Sequence, residues 1–328
     1  MLQTRSALTV VVPIYNEDGC IPELVNRLAA LHDRMHERVE LDVLFVDDGS
    51  SDGSAAQLLE AARERRYFGI LKLSRNFGHQ IAITAGIDHA RGDYVCVIDG
   101  DLQDPPELIE AMYEQARRTG ANVVYGQRRQ RKGETFFKRL SAGLFYRILR
   151  WMTRIEIPAD TGDFRLIDRK VADALRGMRE QGRFIRGMVP WAGYRSEPLL
   201  YDRDPRYAGV TKYPLYKMLR LAAHGILSFS TKPLRLMSYV GAAIVLASLM
   251  GLAGMIYLKL FTDVVVPGIT VVLTAIILLN GFTILMIGVM GEYVGRIFEE
   301  VKRRPLYFVD VLQPGEGGAP AEPPTPPR

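Results

Sequence analysis

The stretch Tyr94–Pro106 reads YVCVIDGDLQDPP, a short apolar run followed at once by an acidic turn. The run Tyr94–Ile98 predicts a buried strand, and this position gives the acidic triplet more weight than a DxD in a solvated turn. In an extended chain alternate side chains share a face, so we expect Asp99, Asp101 and Gln103 to point the same way. Two carboxylates and an amide oxygen suit Mg²⁺ or Mn²⁺, particularly beside a diphosphate. The sequence therefore predicts a divalent-metal site at the end of this strand.

Short apolar runs alternate with helical patterns through the first half of the chain. We predict strands at Leu8–Ile14, Leu41–Val46, Gly69–Leu73, Tyr94–Ile98 and Asn122–Tyr125. Between them we predict helices near Ile21–Arg38, Ser54–Arg65, Gln80–Ala90 and Pro106–Thr119. This alternation predicts an α/β domain with a mostly parallel sheet covered on both faces, and ligands beyond the carboxyl ends of its strands.

Two further polar motifs follow predicted strands. Asn16-Glu17 ends the run VVPIYNE, and Asp47-Asp48 lies within FVDDGSSDGS. An acidic pair at a strand end can accept hydrogen bonds from a nucleotide base or a ribose. The alternative is an ordinary turn into a helix that is capped by a nearby serine or aspartate. Each motif taken singly favours that alternative.

Two segments near the C-terminus carry no charged side chain, Leu236–Leu258 and Val264–Gly291. Each exceeds the about 20 apolar residues that cross a bilayer as a helix, so the sequence predicts a transmembrane hairpin. The flanking cations are Lys232, Arg235, Arg296, Lys302, Arg303 and Arg304. They predict a multi-pass protein of the cytoplasmic membrane, with the N-terminal region and both termini facing the cytoplasm. Small residues at Ala243, Ala247 and Gly251 leave a homo-oligomer open, with incidental small residues as the alternative.

Two basic amphipathic stretches, Glu134–Met152 and Tyr213–Phe229, lie outside the predicted strands. The first either lies in a membrane interface or packs its apolar stripe on the domain core, and the pattern does not choose between these positions. The second directly precedes the first apolar segment, where an interfacial position is favoured. The composition of Gln313–Arg328, rich in Pro, Gly, Ala and Glu, predicts a disordered tail.

Four more motifs extend the pattern: SRNFGHQ at 74–80, YGQR at 125–128, DTGDFRL at 160–166 and RYAGVTKY at 206–213. Together with the motifs above, they resemble the family-2 glycosyltransferases, and within these the polyprenyl-phosphate glycosyltransferases. That group includes dolichol-phosphate mannose synthases and GtrB-type bactoprenol glucosyltransferases, and the two apolar segments are most similar to the GtrB type. The resemblance runs from about Leu8 to Arg304 and implies a Rossmann-like nucleotide-sugar-binding domain of the GT-A type.

The resemblance implies roles for individual residues. We expect the nucleotide pocket to involve Pro13, Tyr15, Glu17, Asp47, Asp48 and Arg128. Asp99 is expected to hold the ribose or sugar side of the donor, and Asp101 and Gln103 the metal ion, Mg²⁺ or Mn²⁺. Arg206 and Lys212 are expected to close over the diphosphate. Ser141, with Arg139, is expected to contact the acceptor phosphate.

The motif DTGDFRL places Asp160 and Asp163 where the family joins donor sugar and acceptor. The family's SGF pattern reads GDF here, so the resemblance does not divide the work between the two aspartates. A phosphate monoester has a second pKa of about 6, so the acceptor needs orientation more than deprotonation. We therefore expect Asp160 to position the sugar or Arg165 rather than to abstract a proton. Two alternatives stay open: Asp163 simply pairs with Arg165, and His79 merely starts a helix.

The resemblance implies an enzyme that transfers a hexose, with inversion, from a nucleotide-sugar to a polyprenyl phosphate such as undecaprenyl phosphate, for cell-envelope glycosylation. UDP-glucose is the favoured donor, with GDP-mannose or a UDP-N-acetyl sugar as alternatives. The expected organisation is a cytoplasmic catalytic domain over residues 1–212 and interfacial helices over 213–235. The transmembrane hairpin follows over 236–295, and a basic segment and tail over 296–328.

Other classes of protein are disfavoured by what the sequence lacks. A formal charge of +5, without a basic run interleaved with aromatics, gives no nucleic-acid footprint. Cys20 and Cys96 are too far apart for CxxC chemistry. A processive polysaccharide synthase should carry a QxxRW signature and more apolar segments, and a phosphotransferase a glycine-rich phosphate loop. A membrane-tethered nucleotide-binding scaffold without turnover stays as the remote alternative.

Overall fold

The computed structural model describes residues 5–129, 161–202, 232–261 and 268–315. The chain divides into two compact units. The first contains Met1–Arg150, Ile155–Leu215 and Pro305–Arg328, and the second contains Trp151–Arg154 and Tyr216–Arg304. Residues 305–315 therefore belong to the first unit, although they follow the apolar segments in the chain.

A mixed eight-stranded sheet forms the centre of the first unit, in the order β7-β5-β6-β4-β1-β2-β3-β8. Its strands are β1 Ser6–Ile14, β2 Val39–Asp47, β3 Phe68–Leu73, β4 Tyr94–Val97, β5 Val123–Arg128, β6 Thr161–Asp168, β7 Ser196–Tyr201 and β8 Val309–Gln313. Strands β4, β1, β2 and β3 are parallel, and β7 is parallel to β5. Strand β6 is antiparallel to β4 and β5, and β8 is antiparallel to β3. The predicted parallel sheet is thus confirmed for four adjacent strands, to which antiparallel pairings are added.

Helices pack on both faces of this sheet. In the described part of the first unit they are α1 Ile21–Met35, α2 Ser54–Glu64, α3 His79–His89, α4 Leu108–Thr119, α5 Arg169–Gly177 and α6 Ile185–Trp191. Side chains alternate along β1, so Val10 and Val12 join the core cluster with residues of α1, α2 and α4. Val11 points to the other face, where a Cβ on Gly86 of α3 would lie 2.1 Å from its Cγ1. Glycine at this position lets α3 lie directly on the sheet.

The predicted helices and strands of the first half are confirmed, with every boundary within three residues of its prediction. Strands β6, β7 and β8 were not predicted. The predicted start of the disordered tail at Gln313 is wrong, because Gln313 is the last residue of β8 and pairs with Ile70. Residues 316–328 lie outside the described residues.

The extended conformation expected for Asp99–Gln103 is wrong. Strand β4 ends at Val97, and the chain bends through residues 100–104. Leu102 has a φ of 58°, in the left-handed region that a non-glycine residue seldom adopts, and its side chain is only 2% exposed. The chain turns sharply at the buried Leu102, so the alternation of side chains along an extended strand does not apply here. It therefore gives no reason to place Asp101 and Gln103 on one face.

The second unit contains helices α7 Lys232–Phe261 and α8 Gly268–Val301. Within them, Leu234–Leu258 and Ala275–Val301 have the length and the apolar composition of helices that cross a membrane. The apolar core of each segment has no buried residue among those that the structure describes. The first matches the predicted Leu236–Leu258, whereas the second lies further along the chain than the predicted Val264–Gly291. A Cβ added to Gly251 would meet nothing within 4 Å among the described residues, so a contact through the small-residue stripe stays a prediction. The predicted helices at 134–152 and 213–229 lie outside the described residues.

Candidate active site

Sheet topology brings the ends of seven strands to one edge. Strands β1 to β4 are parallel, so their carboxyl ends meet there. Because β6 is antiparallel to β4, its amino end lies at the same edge, together with the carboxyl ends of β5 and β7. Of the polar motifs that were predicted to carry the chemistry, those within the described residues begin or end at this edge, whereas RYAGVTKY at 206–213 lies outside them.

The carboxylates of Asp99, Asp101 and Asp104 crowd into the turn after β4. Asp101 is 7% exposed, Asp104 is fully buried, and the Asp99 side chain is 21% exposed. Burial raises the pKa of Asp99 to about 6, and the charges of Asp163, Asp104 and Asp101 act in the same direction. The Gln103 backbone N–H donates to Asp101 Oδ1 at 3.2 Å and tightens the turn. A bound cation would offset this concentration of buried negative charge.

Asp104 is fixed from the neighbouring strands. The Tyr201 hydroxyl, at the end of β7, donates to Asp104 Oδ1, and burial together with Asp104 raises the pKa of Tyr201 so that the phenol keeps its proton. Arg128, at the end of β5, hydrogen-bonds to Tyr201. Its Nε atom is buried and has no hydrogen-bond partner among the described residues. Arg128 therefore lies at the predicted edge of the sheet with a donor available to a ligand.

Asp163 is held by three side chains. The β4–β6 ladder pairs Val97 with Arg165, and continuing this register by two residues sets Asp163 opposite Asp99. Arg186 donates from Nε to Asp163 Oδ1 at 2.9 Å and from its Nη2 to Oδ2 at 2.7 Å. Gln80 and His79 each lie 3.2 Å from the same Oδ2.

These contacts determine the charge of Asp163. Burial alone would raise its pKa, but Arg186 and His79 hold the pKa of this fully buried side chain well below the usual range. The alternative pairing of Asp163 with Arg165 is wrong, since Arg165 donates to the backbone carbonyls of Asp163 at 3.2 Å and Gly162 at 2.8 Å. Asp163 is a charged anchor and is unsuited to accept a proton.

His79 connects Asp163 to the acidic turn. It is the first residue of α3, and its Nε2 lies 3.2 Å from Asp163 Oδ2 and 3.4 Å from Asp99 Oδ1. Burial opposes the change, but Asp163 and Asp99 raise the pKa of His79. Ligand atoms of the three residues lie within 4.8 Å of one another, close enough to share a metal ion. Because Arg186 already contacts both oxygens of Asp163, an ion-pair network accounts for this cluster better than a metal centre.

The acidic pair after β2 has a different environment. Asp48 Oδ1 accepts from the Phe77 N–H at 2.7 Å, and Asp48 Oδ2 accepts from the Gly78 N–H at 2.9 Å. Asp47 Oδ1 accepts from the Ser50 N–H at 3.1 Å, whereas its buried Oδ2 has no hydrogen-bond partner among the described residues. Asp48 therefore fastens the loop before α3, whereas one oxygen of Asp47 has no partner among the described residues, and its contact with a base or ribose stays a prediction.

The turn after β1 is tied to the turn after β2. Asn16, with a φ of 54°, accepts from the Ser51 N–H at 2.8 Å, and the Glu17 N–H donates to Ser54 Oγ at 3.0 Å. Of the predicted pocket residues here, Pro13 is buried in β1, Glu17 is partly buried and Tyr15 is 48% exposed. Hydrogen bonds thus join the two turns at the same edge of the sheet. Arg139, Ser141, Asp160, Arg206 and Lys212 lie outside the described residues, so their roles stay predictions.

Four residues of the site were not singled out from the sequence: Gln80, Asp104, Arg186 and Tyr201. Gln80 and Asp104 lie inside the motifs SRNFGHQ and DGDLQDPP, so closer attention to every polar motif position could have found them. Arg186 and Tyr201 lie in no quoted motif. Their contacts depend on α6 and on the unpredicted strands β6 and β7.

Comparison with known proteins adds a family and several relatives. A family model described as glycosyl transferase family 2 matches residues 9–176. The glycosyltransferase YkcC of Bacillus subtilis (strain 168), described as uncharacterised, is 50% identical and aligns over 92% of this chain and 92% of its own length. The SfII prophage-derived bactoprenol glucosyl transferase of Shigella flexneri is 35% identical over 92% of this chain and 97% of its length.

A more distant likeness is found among solved structures. The mannosyltransferase PcManGT from Pyrobaculum calidifontis, in complex with GDP-Man and Mn²⁺, is 18% identical with a TM-score of 0.45. The match covers 76% of this chain and 81% of that one. At this degree of likeness the two proteins need share neither donor nor metal.

Proposed function

Because the chain belongs to glycosyl transferase family 2, we propose that it transfers a hexose from a nucleotide-sugar to a polyprenyl phosphate. UDP-glucose is the proposed donor, and the first unit is the proposed GT-A-type catalytic domain. The relative named bactoprenol glucosyl transferase, aligned over 92% of this chain, supports this acceptor class. The observation that carries the proposal is the crowding of Asp99, Asp101 and Asp104 at the sheet edge, where a cation with a diphosphate would balance their charge.

Mg²⁺ or Mn²⁺ fits the donor set of this turn. Asp101 and Gln103 offer carboxylate and amide oxygens, and burial, with the charges of the neighbouring carboxylates, raises the pKa of Asp99, an effect that a bound cation would oppose. We assign Asp101 and Gln103 as the ligands and Asp99 to the ribose or sugar side. When bound, the ion would stabilise negative charge on the departing diphosphate.

The protein's own side chains orient the reactants in this proposal. Arg128, whose Nε has no partner among the described residues, is assigned to the donor diphosphate, with Arg206 and Lys212 closing over it. An acceptor phosphate oxygen forms the new bond to the anomeric carbon while the bond to the nucleoside diphosphate breaks, which inverts the configuration. The acceptor is largely dianionic at neutral pH, so no side chain needs to remove its proton. The low pKa of Asp163 agrees with this, and Asp160 is assigned to positioning.

A lipid acceptor would explain why the second unit consists largely of two long apolar helices. A polyprenyl chain stays in the bilayer with its phosphate near the headgroups, so an enzyme held at the membrane meets it at high local concentration. Helices α7 and α8 have the length and composition for this anchor. We assign the protein to the cytoplasmic membrane, with the first unit on the cytoplasmic side and Ser141 and Arg139 at the acceptor phosphate.

A donor panel tests the proposal. The full-length chain in detergent micelles is incubated with undecaprenyl phosphate and UDP-glucose, GDP-mannose or UDP-N-acetylglucosamine, with Mg²⁺ or Mn²⁺, and the lipid product is measured. We expect one donor to yield lipid-linked sugar, chelation by EDTA to stop the reaction, and added metal to restore it. Nucleotide release without a glycosylated lipid from any donor would overturn the acceptor assignment. Full turnover in EDTA would overturn the metal assignment.

A further inference from the structure

Residues 305–313, which we term the C-terminal strap, pack on the outer edge of the sheet in the first unit. The strap ends in β8, whose antiparallel ladder with β3 runs from Ile70–Gln313 to Leu73–Val309. The chain stays close to β3 just beyond the strap, since a Cβ on Gly69 would lie 2.9 Å from the Gly315 nitrogen. The strap is thus built into the unit that carries the candidate active site.

Tyr307 anchors the strap to α3. Its hydroxyl donates to Asp88 Oδ2 at 3.0 Å, and the same oxygen is paired with Arg179 at 2.7 Å. Burial and the charge of Asp88 raise the pKa of Tyr307, so the phenol stays protonated and remains a donor. The Tyr307 ring also lies beside His89, with ring centroids 6.0 Å apart. This anchor fixes the residue that follows it.

Phe308 contacts the 74–78 loop, which leads from β3 into α3. Its carbonyl accepts from the Ser74 N–H at 2.9 Å, and its ring centroid lies 6.4 Å from that of Phe77. The Arg75 guanidinium lies 4.0 Å from the centroid of the Phe77 ring. Phe308 is 57% exposed, so its contact with the loop, more than any burial in the core, accounts for its placement.

The 74–78 loop in turn contacts the candidate nucleotide pocket. Its last two N–H groups, from Phe77 and Gly78, are the donors to Asp48. Gly49 has a φ of 68°, and a Cβ there would lie 2.5 Å from the Arg75 carbonyl carbon, so loop and turn meet without space for a side chain. A displacement of the loop would therefore reach both Asp48 and the start of α3 at His79.

We propose that Tyr307 and Phe308 are positioning residues for the donor site, which act by holding the 74–78 loop against Asp48. The identity of the ligand rests on the proposed function, whereas the contacts between strap and loop do not. Two residues beyond the apolar helices, Tyr307 and Phe308, then contribute to donor binding. A purely structural strap would support the sheet edge without affecting donor affinity.

Hydrogen exchange and nucleotide binding together test the inference. In the full-length chain in detergent, we measure amide exchange of the peptide covering residues 74–80 and the Kd for UDP, and separately GDP, with Mn²⁺. Phe308→Ala and Tyr307→Phe should each accelerate exchange in this peptide by about tenfold. They should weaken binding of the preferred nucleotide by about fivefold, and leave kcat at saturating donor within about twofold.

Asp310→Asn is the matched control. Asp310 lies in the same strap, and the substitution removes only a solvent-exposed ion pair in which Lys72 Nζ lies 2.9 Å from Asp310 Oδ2. We therefore expect amide exchange and Kd to stay unchanged. Faster exchange with an unchanged Kd, or no change in either quantity, would overturn the inference. Equal effects of Asp310→Asn would also overturn it. A wild-type chain that binds neither nucleotide would instead refute the proposed donor, and the positioning role with it, while the exchange data would still report whether strap and loop are coupled.

Discussion

The acidic pair Asp47-Asp48 at the end of β2 and the three aspartates of the turn after β4 lie at the same edge of the sheet, but the surroundings of their carboxylates differ. Both oxygens of Asp48 accept backbone N–H groups, at 2.7 and 2.9 Å. In the turn after β4, Asp99 lies near other carboxylates, and burial together with their charges raises its pKa to about 6, although His79 acts in the opposite direction. A carboxylate whose two oxygens both accept backbone N–H groups belongs to the framework of the fold, whereas a buried carboxylate among other carboxylates favours a bound cation. The partners therefore distinguish two turns of similar composition.

Asp163 extends this comparison to a third carboxylate. It is as deeply buried as Asp48, but its partners are charged, with Arg186 contacting both oxygens. A buried carboxylate with a charged partner keeps its charge and stabilises only as long as that partner is present. The three aspartates thus differ in what their loss should change: catalysis, stability through an ion pair, or the order of a loop.

The largest effect is expected in the turn after β4. Asp101→Asn keeps the shape of the side chain but removes the charge assigned to the metal, so transfer to undecaprenyl phosphate should fall by about 1000-fold or more. The free energy of unfolding should stay the same or rise, because one crowded charge is lost. Asp33→Asn, at a carboxylate whose side chain is 77% exposed, is the control and should leave transfer unchanged. An Asp101→Asn chain with more than a tenth of the wild-type rate would contradict the assignment.

Asp163→Asn should act mainly on stability. The substitution removes the ion pair with Arg186, and because that side chain is 33% exposed, the loss should cost about 1.5–3 kcal/mol of unfolding free energy, less than for a fully buried pair. Denaturant unfolding of the purified chain measures this loss. The double variant Asp163→Asn/Arg186→Gln should lose less than the sum of the single variants, since the pair is already broken. Strict additivity would show that the two side chains do not stabilise each other.

The smallest of the three effects is expected at Asp48. Asp48→Asn replaces one acceptor oxygen by an NH₂ group, so one of the two loop N–H groups loses its partner, at about 1–2 kcal/mol of unfolding free energy. Thermal unfolding and hydrogen exchange at residues 77 and 78 measure the change. Asp47→Asn keeps an acceptor for Ser50 and should cost less stability. A larger loss of unfolding free energy in Asp47→Asn than in Asp48→Asn would reverse the roles assigned to the two aspartates.

The sequence predicted the parallel part of the fold because its signals are local. Apolar periodicity in α1 and the apolar runs of β1 and β2 each identify their own element. Strand β6 was missed because its first residues, Thr161 to Asp163, were assigned to a polar motif and not to a strand. Its position between β4 and β5 depends on tertiary pairing, which no local pattern reveals.

The sequence identified individual residues of the candidate site more successfully than the contacts between them. The DxDxQ motif and the acidic pair after β2 identified the correct edge of the sheet. The conformation of the first motif was missed because burial of Leu102 overrides alternation. The pairing of Asp163 with Arg186 joins the start of β6 to α6, so residue types alone could not distinguish it from a pairing with nearby Arg165.

The pairing of β8 with β3 also bears on how the two long apolar helices could be removed from this chain. A chain shortened before Pro305, to remove the apolar hairpin, would lose β8 and leave the outer backbone groups of β3 unpaired. A bare strand edge is a template for pairing with another molecule, so such a shortened chain should aggregate. Replacing the hairpin by a flexible linker that retains residues 305–313 would keep that edge covered.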